Sequence, residues 1–124
     1  VVNTDVNDFH KIREAEKWLY NYKSIKAGIE SLKEEYDNPI DSRTKINTSR
    51  EFALESRIKS MERKVEQMDR ALAALNNVER EVITYKCIEG MFYYEFTYKV
   101  YKSERQCKRI KKIALKKIAI ALGL

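Results

Sequence analysis

Residues 92–118, FYYEFTYKVYKSERQCKRIKKIALKKI, decide the reading of the fold. At about 100° per residue, Cys107, Ile110, Ala114 and Ile118 fall on one face of a helix. Arg105, Arg109, Lys112 and Lys116 fall on the opposite face, with Lys108 at its edge. A random scatter of charge would not separate so cleanly, so the pattern predicts an amphipathic helix with one apolar and one basic side. Ser103 and Gln106 have the spacing of a capping box, in which two side chains satisfy free backbone donors reciprocally, and this starts the helix at Ser103. Upstream, Phe96 and Val100 share one face of a shorter helix, about residues 92–100, and only Tyr101 and Lys102 link the two. Two helices with so short a link, the second strongly basic, have the dimensions of a helix-turn-helix.

Toward the N-terminus, Asn76 or Asn77 caps a helix through Val78, Val82, Ile83 and Cys87, and Gly90 ends it where left-handed geometry is needed. Leu54, Ile58, Met61, Val65, Met68, Leu72 and Leu75 recur in alternating steps of four and three, the pattern of a coiled-coil seam. Thr48 and Glu51 form a capping box ahead of it. Ile12, Ala15, Leu19, Tyr22, Ile25, Ile29, Leu32 and Tyr36 make one stripe along a single long helix, about residues 9–36, with Trp18 beside it. Asp37-Asn38-Pro39 stops that helix, because Pro disfavours helical geometry at the residue before it.

The expected fold is therefore all-α: a long, coiled-coil-like N-terminal helical hairpin, residues 1–76, followed by a helix-turn-helix domain, residues 77–124. Two helices alone bury little surface, so a third surface should complete the seam. The favoured source is the same hairpin in a second chain, which makes it an oligomerisation element. The alternative is an intramolecular hairpin that props up the C-terminal part. Ile118 to Leu124 are apolar almost all round, so this tail is expected against the hairpin or another subunit, with a share in the dimer contact.

Charge is distributed unevenly. The 124 residues carry 25 Lys plus Arg and 19 Asp plus Glu, a net +6. Residues 1–76 hold 14 of each sign, so the whole excess belongs to residues 77–124, with 11 basic and 5 acidic side chains. Lys99 to Lys117 alone carries nine basic residues against Glu104. Such asymmetry points to a polyanion. Residues near the start of a recognition helix reach base edges, which makes Arg105, Gln106, Lys108 and Arg109 the candidate base readers. Gln106 is claimed by both the cap and this set. Lys111, Lys112, Lys116 and Lys117 are placed to meet phosphates or solvent, and Lys99 and Lys102 to clamp the backbone beside the turn.

Other chemistry finds little support. No nucleophile–base pairing, phosphate loop or carboxylate cluster stands in a defined context, so an enzyme is not expected, nor a cofactor. Cys87 and Cys107 form no CxxC and His10 is distant, which argues against a disulfide scaffold or zinc site and for a reducing cytosol. No apolar run reaches the length of a membrane span, and no signal-peptide pattern opens the sequence. Phe92, Tyr93, Tyr94, Phe96, Tyr98 and Tyr101 recur at helical spacing and read chiefly as core, with Tyr93 or Tyr98 bonding phosphate; base stacking on single strands is the rival use.

Residues 75–122 resemble region 4 of sigma-70-type factors and, more closely, the phage-encoded transcriptional regulators of the ArpU/RinA kind. The matching pieces are Glu79-Arg80 with Val82-Ile83, Glu89-Gly90, Tyr94-Glu95-Phe96, Ser103-Glu104-Arg105, Cys107-Lys108-Arg109-Ile110 and Ala114-Leu115. The stretch WLYNYKSIKAGIESLKEEYDN, residues 18–38, is similar to the opening of those phage proteins. Phe92 stands where the family often has a polar cap, Thr97 where Ala is usual, Cys107 where Val or Ile is usual, and Lys102 where an apolar residue is more common. The resemblance implies a double-stranded DNA-binding regulator of phage or prophage late genes in the cytoplasm of a bacterial host. The hairpin adds the expectation of a homodimer or higher homo-oligomer, and host RNA polymerase is a candidate partner. Two rivals are a small terminase-like packaging subunit and a protein that engages polymerase or a sigma partner without reading DNA.

Overall fold

The computed structural model describes the backbone of residues 4–37 and 48–124, and the side chains of residues 8–37 and 49–124. Six α-helices and one π-helical turn account for nearly all of it, and no strand occurs among the described residues. None of these helices is long and apolar enough to cross a membrane. The Thr48 cap lies outside the described side chains.

Two helices, α1 (Thr4–Tyr20) and α2 (Tyr22–Asp37), stand where one was expected. Backbone bonds from the Asn21 N–H to Lys17 and from the Ile25 N–H to Asn21 carry the chain across the junction. The two helices nonetheless serve different neighbours. Ala15 and Leu19 of α1 are buried among residues of the C-terminal helices, whereas Ile29 and Leu32 of α2 are buried against Leu54 and Ile58 of α3 (Thr48–Ala73). A stripe in steps of three and four records burial and not the partner, so the break leaves no mark on the period.

α2 and α3 run in opposite directions. Arg50 pairs with Glu35 at 2.7 Å near one end, and the Tyr22 hydroxyl donates to Asp69 at 2.6 Å near the other. That hydrogen bond to a carboxylate, with burial, pushes the Tyr22 hydroxyl up to about 12. Ile25, Met61 and Val65 pack at the margin of this contact. The second half of the α3 seam, Met68 and Leu75 with Ala71, joins the main core instead. There it meets Ala15, Leu19, Ile83, Cys87, Ala114, Leu115, Ile118, Ala119 and Leu122. The seam is thus filled within the chain, by α2 over its first half and by α1 and the C-terminal helices over its second. The expectation favoured the same hairpin in a second chain as the third surface; within this chain Ala114, Leu115 and Ile118 of the C-terminal helix supply apolar surface to the second half of the seam. The tail takes the first of its two expected places, against the hairpin. Ile118, Ala119 and Leu122 sit in this intramolecular core, and Ile120, 79% exposed, is the large apolar residue left outside.

The chain turns from α3 into α4 (Asn77–Ile83) at Asn76. The Asn76 side chain accepts from the Glu79 N–H at 2.9 Å, and the Glu79 carboxylate accepts from the Asn76 N–H at 3.0 Å. Arg80 reaches back to the end of α3, donating to the carbonyls of Leu72 (3.0 Å) and Leu75 (2.7 Å). The Leu72 carbonyl also accepts from the Leu75 N–H at 3.2 Å, so Arg80 adds a second donor there and reaches the Leu75 carbonyl beyond it. A π-helical turn, Thr84–Ile88, follows directly. Its closing bond runs from the Glu89 N–H to the Thr84 carbonyl at 2.8 Å, one residue wider than an α-helical bond. Across this segment Val82 feeds a small cluster with Phe96, while its neighbour Ile83 feeds the main core. Gly90, at φ 67°, then ends the run in the left-handed conformation expected of it.

Candidate nucleic-acid interface

The basic helix and its neighbour are held by a compact local cluster. α5 (Tyr93–Val100) and α6 (Glu104–Ala121) bury Phe96, Val100 and Cys107 against Val82, and Tyr85 stacks on Phe96 at 5.5 Å. Phe92 has no polar side chain to cap α5, and Glu95 compensates by accepting from the Phe92 N–H at 3.1 Å. The helix ends at Tyr101 with φ 57° and ψ 40°, and the Lys102 N–H returns to the Thr97 carbonyl at 3.3 Å, the long bond of a Schellman closure. At Ser103 the capping box is complete. Ser103 Oγ accepts from the Gln106 N–H at 3.1 Å, and Gln106 Oε1 accepts from the Ser103 N–H at 2.9 Å. These local bonds fix where α6 begins and which way its faces point.

Arg105, Arg109, Lys112 and Lys116 are all exposed along one side of α6, opposite the buried Cys107, Ala114 and Ile118. Lys108 is exposed at the edge, with its ammonium 5.6 Å from the Tyr93 ring centre. Gln106 is exposed, but its carbonyl oxygen is committed to the cap. Lys99 lies 5.4 Å from the Tyr85 ring centre, and Lys102 is exposed at the turn. Attraction to a ring face keeps such a cation on the surface and oriented.

Two lysines of the run depart from the rest. Lys111 is half-buried and pairs with Glu16 of α1 at 3.2 Å. Burial disfavours its charge, but negative charge at Cys87 and Glu16 and the Glu16 hydrogen bond outweigh this and raise its pKa. Burial also pushes the Cys87 thiol up to about 12, so near neutral pH that thiol is uncharged and Glu16 is the effective partner. Lys111 is accordingly a tie between α6 and α1 and not a free phosphate contact. Lys117 donates to Glu79 at 2.8 Å. Both pairings remove charge from the flanks of the basic stripe and leave it narrow.

Sequence reasoning missed three polar residues that shape this region. Arg80 and Glu79 appear above as the joint of α3 and α4. Lys86 donates to the Met91 carbonyl at 3.1 Å and stands 4.6 Å from the Tyr93 ring centre. The Asn76–Glu79 spacing of a capping box could have announced Glu79. The Lys117 contact of Glu79 and the partners of Arg80 and Lys86 lie on other elements or in the loop, where no spacing rule on a single helix announces them.

The aromatic cluster also differs from expectation. Phe96 is buried and Tyr93 is partly so, but Phe92, Tyr94, Tyr98 and Tyr101 are exposed by 62, 74, 67 and 90%. An eight-residue helix has one inward face, and Phe96 and Val100 already occupy it. Cys87 and Cys107 are buried free thiols, as read from their faces, and burial raises both above the ordinary thiol range. Among the described residues, no group of three or more His, Cys, Asp and Glu side chains is placed to hold a metal ion. No protein-family model, curated protein or solved structure matches the chain.

Proposed function

We propose that this chain is a sequence-specific double-stranded DNA-binding regulator of transcription, of the phage type its sequence resembles. In this reading α5, the Tyr101–Lys102 turn and α6 act as a helix-turn-helix, with α6 in the major groove. One observation carries it: α6 exposes Arg105, Arg109, Lys112 and Lys116 in a single stripe while its opposite side is locked into the core. Arg105 and Arg109 lie in the first turns, where guanidinium forks reach guanine edges in pairs of hydrogen bonds. Lys112 and Lys116 lie farther along, and Lys99 and Lys102 beside the turn, where phosphates run.

The test is selection of bound duplex fragments from a bacterial genome that carries prophage, followed by titration of the best fragment against a scrambled duplex. A shared motif should emerge. With four lysines on phosphates, the logarithm of affinity should fall against the logarithm of salt with a slope of about −4. Absence of any enriched fragment at low salt would overturn the reading.

A further inference from the structure

The outer side of α5 carries aromatic rings that the folded chain does not use. Tyr94 and Tyr98 are four residues apart and Tyr101 is three beyond, so the rings share one side of the helix. With Lys102 and Glu104 they line an open groove of about 460 Å³ beside the start of α6. Phe92 extends the stripe, stacked on Tyr94 at 5.7 Å with the rings 6° from parallel. Contiguous exposed apolar surface of this kind marks an interaction site.

Tyr101 sharpens the case. Its backbone is left-handed, a conformation in which glycine is lower in energy than any residue with a Cβ, and its ring is 90% exposed. A side chain that strains its own backbone and packs on nothing serves something other than the fold.

The surroundings are cationic. Lys99 lies 6.0 Å from the Tyr98 ring centre, Lys86 lies 5.8 Å from the Phe92 ring centre, and Lys102 lines the groove itself. Glu104 is the carboxylate among the lining residues, and Glu95 is turned back onto the Phe92 N–H. Rings that offer faces, beside ammoniums that meet phosphates, suit an unpaired nucleic-acid strand. The spacing agrees. Residues four apart are separated by ~6 Å of helix rise, nearly twice the ~3.4 Å step along one strand of a duplex. Such rings cannot match stacked duplex bases, but they match bases drawn apart along a single strand.

We propose that the Tyr94–Tyr98–Tyr101 side of α5 binds single-stranded DNA, stacking unpaired bases on its rings while Lys99 and Lys102 meet the phosphates. The rings are separate from the duplex-facing stripe of α6, and Lys99 and Lys102, beside the turn, are shared with the proposed duplex contact. Where both are filled, the chain holds a junction, with paired DNA on α6 and an unpaired strand on α5.

The experiment is fluorescence anisotropy of the full chain at low salt with labelled oligothymidine of about a dozen nucleotides, alongside a duplex probe. Tyr94→Ala/Tyr98→Ala is expected to weaken oligothymidine binding by about tenfold per ring, far more than it weakens duplex binding. Tyr94→Phe/Tyr98→Phe keeps the rings and should bind like the parent. Arg105→Ala/Arg109→Ala should weaken the duplex and spare oligothymidine. Tyr101→Gly removes the third ring without straining the backbone, so it tests the site even if the alanine pair misfolds; it should also weaken oligothymidine by about tenfold. The proposal is overturned if the parent binds no oligothymidine, or if removing the rings leaves that binding intact. It is also overturned if the alanine pair lowers the sedimenting mass of the free chain, which assigns the stripe to contact between copies.

Discussion

Lys117 Nζ lies 2.8 Å from the carboxylate of Glu79, which joins α6 to the first turn of α4 across 38 residues of sequence. Glu79 is 5% exposed, and the same carboxylate caps α4 through the Asn76 N–H. Burial works to raise the Glu79 pKa. The hydrogen bonds from Lys117 and Asn76 and the Lys117 charge outweigh burial and hold it below the ordinary value.

A depressed carboxylate pKa contributes stability that is complete above the unfolded value and lost as pH falls through the folded one. Glu79→Gln keeps hydrogen-bonding atoms in place but removes the charge. It should lower stability at neutral pH by about 1 kcal/mol, a modest figure because Lys117 is half exposed. Urea unfolding of parent and variant should show this gap near neutral pH and its closure in acid below the native pKa. A gap that persists in acid would refute the charge account.

Arg80 is expected to matter through the carbonyls it caps. Arg80→Ala removes these side-chain donors from the end of α3 and should lower stability by about 1–2 kcal/mol. Arg80→Lys should recover only part of the loss, because a single ammonium cannot span the separated Leu72 and Leu75 oxygens as the guanidinium fork does. The denaturant midpoints of the two variants give the comparison.

Two left-handed positions should respond oppositely. Tyr101→Gly relieves backbone strain and, after the added freedom of the unfolded chain, should raise stability by roughly 0.5–1 kcal/mol. Gly90→Ala places a Cβ at φ 67° and should lower stability by about 1 kcal/mol. Thermal midpoints suffice to measure both, and a fall for Tyr101→Gly would mean that the ring supports the fold after all.

On duplex DNA, Arg105→Ala or Arg109→Ala should relax sequence preference at a cost of about 1–3 kcal/mol. Lys116→Ala should weaken all sequences alike and make the salt dependence shallower. Lys111→Ala should leave the salt dependence as it is and reduce stability, since its ammonium is held by Glu16. Titrations of matched and scrambled duplexes across salt separate these effects. If the arginine and lysine variants lost discrimination equally, the division into readers and clamps would be wrong.

What was legible in the sequence is what local rules govern. The Ser103–Gln106 box, a cap at Asn76, Gly90, the bounds of α5 and the start of α6 follow from residue types a few positions apart. The α3 seam was visible as a period, but its partners were not. Whether Leu75 meets a second chain or Ile118 of the same one depends on contacts over long separations. The break at Asn21, the π-helical turn and the outward rings share that cause, since each reflects which surfaces are already occupied. For the basic run, spacing showed which lysines share a face but not that Glu16 and Glu79 would claim two of them.

Net charge divides the chain at residue 76, but cohesion does not. Ala15, Leu19, Met68 and Leu75 from the neutral part and Cys87, Leu115 and Ile118 from the basic part share one interior. The Glu16–Lys111 pair fastens the same seam from outside. The α2–α3 arm is therefore no tethered appendage: it is geared to the arginine stripe, and turning one turns the other. Any assembly built through that arm would act as a ruler, setting the distance and angle between the stripes of successive copies.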